Sequence, residues 1–181
     1  MRRRLAKKKE EQSPRARLDP QKERERTFQR AVKLLAAKSR SVAELRERLL
    51  SGAGTNKAIV ESVVARLREY GYLDDASFAE GYASLRLRGT PIGRRRLQRD
   101  LWLKKVDKAV ADKALDIVFA ETPEEDLIDR AIEKRMRLRG RPKTRAEAKS
   151  LFDHLLRQGF AFELVGEKVR AVSKSDLDDE A

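Results

Sequence analysis

Apolar side chains recur every three or four residues along most of the chain, which is the spacing of amphipathic helices. Three such stripes follow one another between residues 27 and 73. Ser41, with Glu44 three residues later, predicts a capping box at the start of the second stripe. Gly52 follows that stripe and Gly71 follows the third. This segment therefore reads as three short helices joined by tight turns.

The same arrangement then begins again. Residues 74–121 contain a second triplet of stripes, with Asp74 or Asp75 as the cap of its first helix. Residues 122–172 contain a third, for which Thr122-Pro123 predicts a cap followed by proline at the first helical position. The middle helices superpose at offsets of 52 and 54 residues through three leucine pairs, Leu45/Leu49, Leu97/Leu101 and Leu151/Leu155.

Internal repetition of this length predicts a tandem array in which each unit buries apolar surface against its neighbour. The expected shape is elongated and curved, and a single helical bundle with one core stays open as the alternative. Charged residues make up 40% of the chain and aromatic residues only 6%, which favours exposed helices over strands. We therefore predict an all-α fold of three tandem three-helix repeats.

The two ends carry little apolar surface. Residues 1–26 contain many Lys and Arg and few apolar side chains, so we predict a disordered basic tail in which Pro14 and Pro20 prevent a continuous helix. Residues 173–181 are predicted as an acidic tail. The predicted organisation is thus tail, repeats 27–73, 74–121 and 122–172, then tail.

The counts of Cys and His exclude several classes of catalytic and metal-binding site. The chain has no Cys and one His, His154, so thiolate catalysis, Cys-ligated zinc and two-His metal sites are excluded. We expect no enzyme activity and no cofactor. A net charge of +13 predicts a polyanionic partner, with nucleic acid ahead of an anionic membrane surface. No apolar run is long enough to span a bilayer and no secretory signal is present, so we expect a cytoplasmic protein.

The positive charge is concentrated. Residues 86–105 hold eight Lys or Arg against one acid, and residues 134–145 hold seven against none. A solvated helix face is the ordinary reading of such runs, but clustering in adjacent repeats favours phosphate or carboxylate contact. The candidate binding residues are Arg86, Arg88, Arg94, Arg95, Arg96, Arg99, Lys104, Lys105, Arg137, Arg139, Arg141, Lys143 and Arg145. Trp102 is a candidate for base stacking if it is exposed, whereas helical spacing places Tyr82 in the core.

Several motifs resemble the RecX family of recombination regulators, in order and with the right spacing from about residue 27 to 172. They are Arg40-Ser41 before Glu44-Leu45-Arg-Glu-Arg-Leu49, Leu67-Arg-Glu-Tyr-Gly-Tyr-Leu-Asp-Asp-Ala-Ser-Phe78-Ala79, Gly93 before Leu97 and Leu101, and Leu155-Leu-Arg-Gln-Gly-Phe160. One departure is Lys104-Lys105-Val106, where members of the family usually carry Lys-Gly-Ile. A position suited to a positive φ therefore lacks its glycine.

The resemblance implies nine helices in three repeats and a non-catalytic protein that binds the RecA recombinase filament. It further implies modulation, generally inhibition, of RecA recombinase, ATPase and co-protease activity in DNA repair and the SOS response. Together with the charge map it predicts contact with single- and double-stranded DNA, and we expect a monomer. The alternative is an independent helical protein that binds DNA without sequence preference.

Overall fold

The computed structural model describes residues 19–52 and 56–174, and every regular element in these residues is an α-helix. The all-α prediction is confirmed. The helices of the described part are α1 Pro20–Ala37, α2 Val42–Leu50, α3 Lys57–Glu69, α4 Asp75–Gly89, α5 Arg94–Leu103, α6 Lys108–Glu121, α7 Glu124–Arg139, α8 Arg145–Arg157 and α9 Phe162–Lys174. They fall into the three predicted triplets.

The middle helices α2, α5 and α8 each bury one face in an apolar core. Each of the three predicted leucine pairs is buried, because residues four apart lie on one face of a helix. Helices α1–α3 enclose one apolar core and helices α4–α9 share a second, continuous one. Within the described residues the alternative of a single core is therefore wrong. The elongated, curved shape stays a prediction.

Two of the three helix starts predicted from the sequence are N-caps in the structure, Ser41 of α2 and Asp74 of α4. Thr144 and the Glu147 side chain form a complete capping box on α8. The Ser41 hydroxyl accepts from the Glu44 amide at 3.1 Å, but the Glu44 carboxylate turns away to Lys104 instead of closing the box. The Thr122-Pro123 prediction was wrong by one residue, because Thr122 ends α6 and Pro123 itself precedes α7.

The predicted boundary of the basic tail was also wrong. Helix α1 begins at Pro20, so residues 20–26 are its first turns. Proline lacks only an amide that has no partner in a first turn, and its fixed φ suits the helix. The Asp19 carboxylate caps this start by accepting from the Gln21 amide at 3.0 Å. Residues 1–18 and 175–181 lie outside the described residues, and residues 173 and 174 continue α9.

The turn after α5 has the backbone conformation that the sequence suggested. Lys105 has a φ of 59°, which is the left-handed region that favours glycine. Its counterpart after α8 is Gly159, with a φ of 90°. In both turns the following residue donates its amide back to the helix, Val106 to Leu101 and Phe160 to Leu155. The two middle helices thus end in the same way although only one has the glycine.

The two junctions between repeats have the same arrangement. In each, the end of the middle helix of one repeat lies against the start of the middle helix of the repeat before it. At the first junction the Ser41 hydroxyl donates to the Lys104 carbonyl at 2.5 Å. At the second the Gly93 amide donates to the Gln158 carbonyl at 3.0 Å. There is room for this approach only because Gly93 has no side chain, since a Cβ would lie 2.3 Å from the Gly159 carbonyl oxygen.

An acid from the next repeat completes each junction. The Val42 amide, at the start of α2, donates to the Asp75 carboxylate at 2.8 Å. The Arg94 amide, at the start of α5, donates to the Glu124 carboxylate at 3.0 Å. Carboxylates suit these positions because the first amides of a helix are unpaired and the helix dipole is positive there.

Candidate nucleic-acid interface

Several of the thirteen candidate residues make contacts inside the protein, and in five of them the contact lies between helices. Arg86 lies 3.4 Å from the Asp100 carboxylate, between α4 and α5. The other four connect a middle helix to another helix or to the neighbouring repeat, and they are Arg94, Arg96, Lys104 and Lys105. Most of these side chains are paired with an acid, and Arg96 is bound to a neutral side chain. All of them are therefore less available to an external anion.

Arg94 was expected to be exposed, and the structure corrects this. Its guanidinium lies 2.7 Å from the Asp116 carboxylate and donates to the Asp112 carbonyl at 3.2 Å. It also lies over the Phe119 ring, 6.0 Å from the centroid. The side chain is half-buried and fastens α5 to α6.

Arg96 was likewise expected to be exposed and is half-buried. Its guanidinium donates to the Gln158 side chain at 2.8 Å, and its backbone lies where a Cβ on Gly159 would need to be. Lys104 pairs with Glu44 at 2.9 Å and Lys105 pairs with Glu47. These three basic residues therefore belong to the junctions between repeats.

The outward face of α5 is basic and aromatic. Arg95, Arg99 and Trp102 are spaced four and three residues apart, which places them on one side of the helix, opposite the buried Leu97 and Leu101. Arg95 and Arg99 are exposed, and Trp102 is 70% exposed. The exposure that a stacking role for Trp102 requires is thus present.

A groove between the second and third repeats continues this face. Arg95 and Arg99 line one side of it, and Arg157 and Phe162 line the other. Phe162 packs edge-on against Phe152, with ring centroids 5.3 Å apart, and is still 55% exposed. Neither Arg157 nor Phe162 is predicted from the sequence as a binding residue, because no local signal shows that they lie beside a helix about 60 residues earlier.

The second arginine cluster surrounds the corner between α7 and α8. The candidates of this cluster are all exposed, and they are Arg137, Arg139, Arg141, Lys143 and Arg145. Gly140 has a φ of 77° and permits the sharp turn. Below it, amides of Lys143 and Thr144 donate to the Glu147 carboxylate, and these bonds lower the pKa of Glu147.

His154 on α8 links the two basic regions. It is half-buried, and burial lowers its pKa, with the nearby Arg135, Arg157 and Arg139 guanidinium groups lowering it further. Arg157 lines the α5 groove and Arg139 lies at the α7–α8 corner, so His154 lies between the two basic regions. A phosphate backbone crossing this surface would meet arginine from both clusters.

The remaining candidates have structural places. Asp74 caps α4 by accepting from Ala76 and Ser77, which lowers its pKa, and Asp75 serves the junction described above. Tyr82 is half-buried and stacks on Phe78, 6.0 Å between centroids. Among the described residues no group of acids or histidine could hold a metal ion, and no helix there is long and apolar enough to cross a membrane.

The fold and this surface define a helical tandem-repeat protein with basic outer faces. A family model described as the second three-helix domain of RecX matches residues 74–115. The crystal structure of RecX from Lactobacillus salivarius superposes with a TM-score of 0.75 over 84% of this chain and 97% of that one, at 17% identity. That likeness establishes the shared fold.

Sequence relatives establish the family. The regulatory protein RecX of Chlorobium limicola is 33% identical over 140 residues, which cover 77% of this chain and 84% of the relative. The regulatory protein RecX of Treponema pallidum is 40% identical over 110 residues, but the match covers 61% of this chain and 66% of that protein, just under two thirds of its length. The chain belongs to the RecX family.

Proposed function

We propose that this protein is a non-catalytic regulator that binds RecA nucleoprotein filaments and inhibits RecA recombinase, ATPase and co-protease activity. The proposal places it in the cytoplasm, in DNA repair and the SOS response, as a monomer on the filament. The family supports a regulatory role, and the observation that carries the rest is the exposed arginine on both sides of α8, in the α5 groove and at the α7–α8 corner. Such a surface fits the phosphates of filament DNA or acidic residues of its protomers.

The repeat architecture suits a polymeric partner. Exposed arginines lie on two different repeats, so one molecule can contact neighbouring protomers. Each contact raises the effective concentration for the next one. We therefore expect inhibition at ratios well below one molecule per RecA protomer.

The test is a titration of the full chain against preformed RecA filaments on single-stranded DNA held in excess, with ATP hydrolysis and strand exchange as readouts. Arg95→Glu with Arg99→Glu, and Arg139→Glu with Arg145→Glu, should each weaken inhibition at unchanged helix content. Arg94 and Arg96 are unsuitable for this test because their side chains serve packing, Arg94 between α5 and α6 and Arg96 between α5 and the third repeat. The matched control is Lys113→Glu with Arg170→Glu, which makes the same charge change at exposed positions outside both clusters.

A second candidate is an independent protein that binds DNA without sequence preference. The exposed arginines and Trp102 on α5 favour it, because they would serve naked DNA equally well. The same titration separates the two. Inhibition that appears only when the DNA is saturated with this protein would support competition for DNA and refute the filament regulator.

A further inference from the structure

Trp102 is a large side chain left in water on a helix that buries its other face well. Burying an aromatic side chain of this kind stabilises a fold, and this residue largely forgoes that stabilisation. Leu103 beside it is also exposed, at 61%, while Arg99 and Arg95 lie one and two turns away on the same side as Trp102. Arginine alternating with an exposed aromatic ring is the composition of surfaces that bind single-stranded nucleic acid.

We propose that Trp102, Arg99 and Arg95, with Arg157 and Phe162 across the groove, form a single-stranded DNA site. We name this set of residues the stacking face. Unpaired bases stack on the Trp102 and Phe162 rings, and the arginine side chains contact the phosphates between them. The proposal deepens the function proposed above, since it assigns one basic surface to the DNA of the filament and leaves the α7–α8 corner for further contacts.

The dimensions agree with a short stretch of strand. Arg95 and Trp102 are seven residues apart, so the face runs about 10 Å along α5. This length corresponds to at most about three nucleotides at the rise of about 3.4 Å of a stacked strand, and to fewer in an extended strand. Trp102 ends the row on α5 and Phe162 lies across the groove from Arg95 and Arg99, so each ring can take one base while the arginines hold the backbone.

Unpaired bases are favoured over duplex because the ring faces of paired bases are covered by their neighbours. A duplex could reach the arginines but would leave Trp102 without a stacking partner. Asp75 and Asp107 line the pocket beside Trp102 and stay charged, so the phosphates of a bound strand are expected to lie toward Arg99 and Arg95. Exposed Trp and Arg side chains are also common in protein–protein interfaces, so a protein partner is the alternative to DNA at this face. The continuation of the positive charge through Arg157 favours a polyanion.

The sequence contains one tryptophan, so the fluorescence of the intact full chain reports on this residue alone. Titration with an oligothymidylate should quench it, whereas a blunt duplex of equal length should bind with little quenching. With a labelled oligothymidylate, Trp102→Ala should weaken binding about 5- to 100-fold, and Trp102→Phe should stay within about threefold of the original. Arg95→Ala and Arg99→Ala should each reduce the salt slope by about 0.7.

Tyr72→Ala is the matched control, because this aromatic ring on the first repeat is 66% exposed and lies outside the stacking face. Saturable oligothymidylate binding without quenching, or equal affinity of Trp102→Ala and the original chain, would overturn the proposal. So would a Trp102→Ala variant that loses RecA inhibition but keeps its oligothymidylate affinity, since Trp102 would then contact protein. Quenching by a chain that does not affect RecA would instead refute the proposed function and leave the stacking face standing.

Discussion

Replacing Lys105 by glycine tests how the turn after α5 is held. Lys105 has a φ of 59°, where a Cβ crowds the neighbouring carbonyl, and the equivalent turn after α8 uses Gly159. The Lys105 side chain also forms an exposed ion pair with Glu47 of the first repeat. Lys105→Gly removes both the crowding and the ion pair, whereas Lys105→Ala removes the ion pair and keeps the Cβ. The difference between the two variants therefore measures the backbone strain.

The magnitude follows from two opposing effects. The left-handed conformation costs a residue with a Cβ about 1–2 kcal/mol. Glycine loses more backbone entropy on folding, which costs about 0.5–1 kcal/mol. We therefore expect Lys105→Gly to exceed Lys105→Ala in stability by about 0.5–1 kcal/mol. An exposed ion pair contributes at most about 1 kcal/mol, so Lys105→Ala should lie between the original stability and about 1 kcal/mol below it.

Urea denaturation of the full chain, followed by circular dichroism of the helices, measures these differences as shifts of the midpoint at constant slope. Gly159→Ala is the matched control, because its φ is 90° and its Cβ would stand 2.4 Å from the Arg96 amide nitrogen. That variant should lose about 2–4 kcal/mol. Equal stabilities of Lys105→Gly and Lys105→Ala would refute the account of strain at this turn.

Three further outcomes follow from the structure. Gly93→Ala should lower the free energy of unfolding by about 2–4 kcal/mol, because the added Cβ meets a backbone carbonyl. Gly81→Ala should raise it by about 1 kcal/mol, because Gly81 lies in open space on α4 and alanine favours the helix. Urea denaturation measures both changes. Burial raises the pKa of Glu124, so ionisation of this carboxyl favours the unfolded chain. Glu124→Gln should therefore gain stability relative to the original chain as the pH rises from below 4.5 to neutrality. A difference in unfolding free energy between the two chains that does not change with pH would contradict this. DNA phosphates near the arginines should raise the pKa of His154, which is lowered in the free protein. His154 is the single histidine, so a proton NMR titration with and without oligothymidylate measures this pKa directly. An unchanged pKa in the presence of oligothymidylate would contradict the prediction.

Local chemistry determined the helices of this protein. The period of apolar residues and the caps at Ser41 and Asp74 depend on residues within about four positions of one another. Such signals can be read from a sequence directly, whereas the positive φ after α5 is expected only from the resemblance to the RecX family. The leucine pairs added the repeat, since the same spacing returns after 52 and 54 residues. The error at Pro20 came from reading a helix-starting proline as a breaker.

The tertiary structure alone decided which basic residues face solvent. Arg94, Arg95 and Arg96 are consecutive and chemically identical, yet Arg95 is exposed while its neighbours are held by Asp116 and Gln158. The partner of Arg96 is 62 residues away, and no local pattern contains that information. Helix geometry turns successive residues by about 100°, so once α5 is packed on both junctions only one arginine of the three can point outward. The exposure of Trp102 has the same origin, because the packed side of α5 was fixed by the repeats on either side of it.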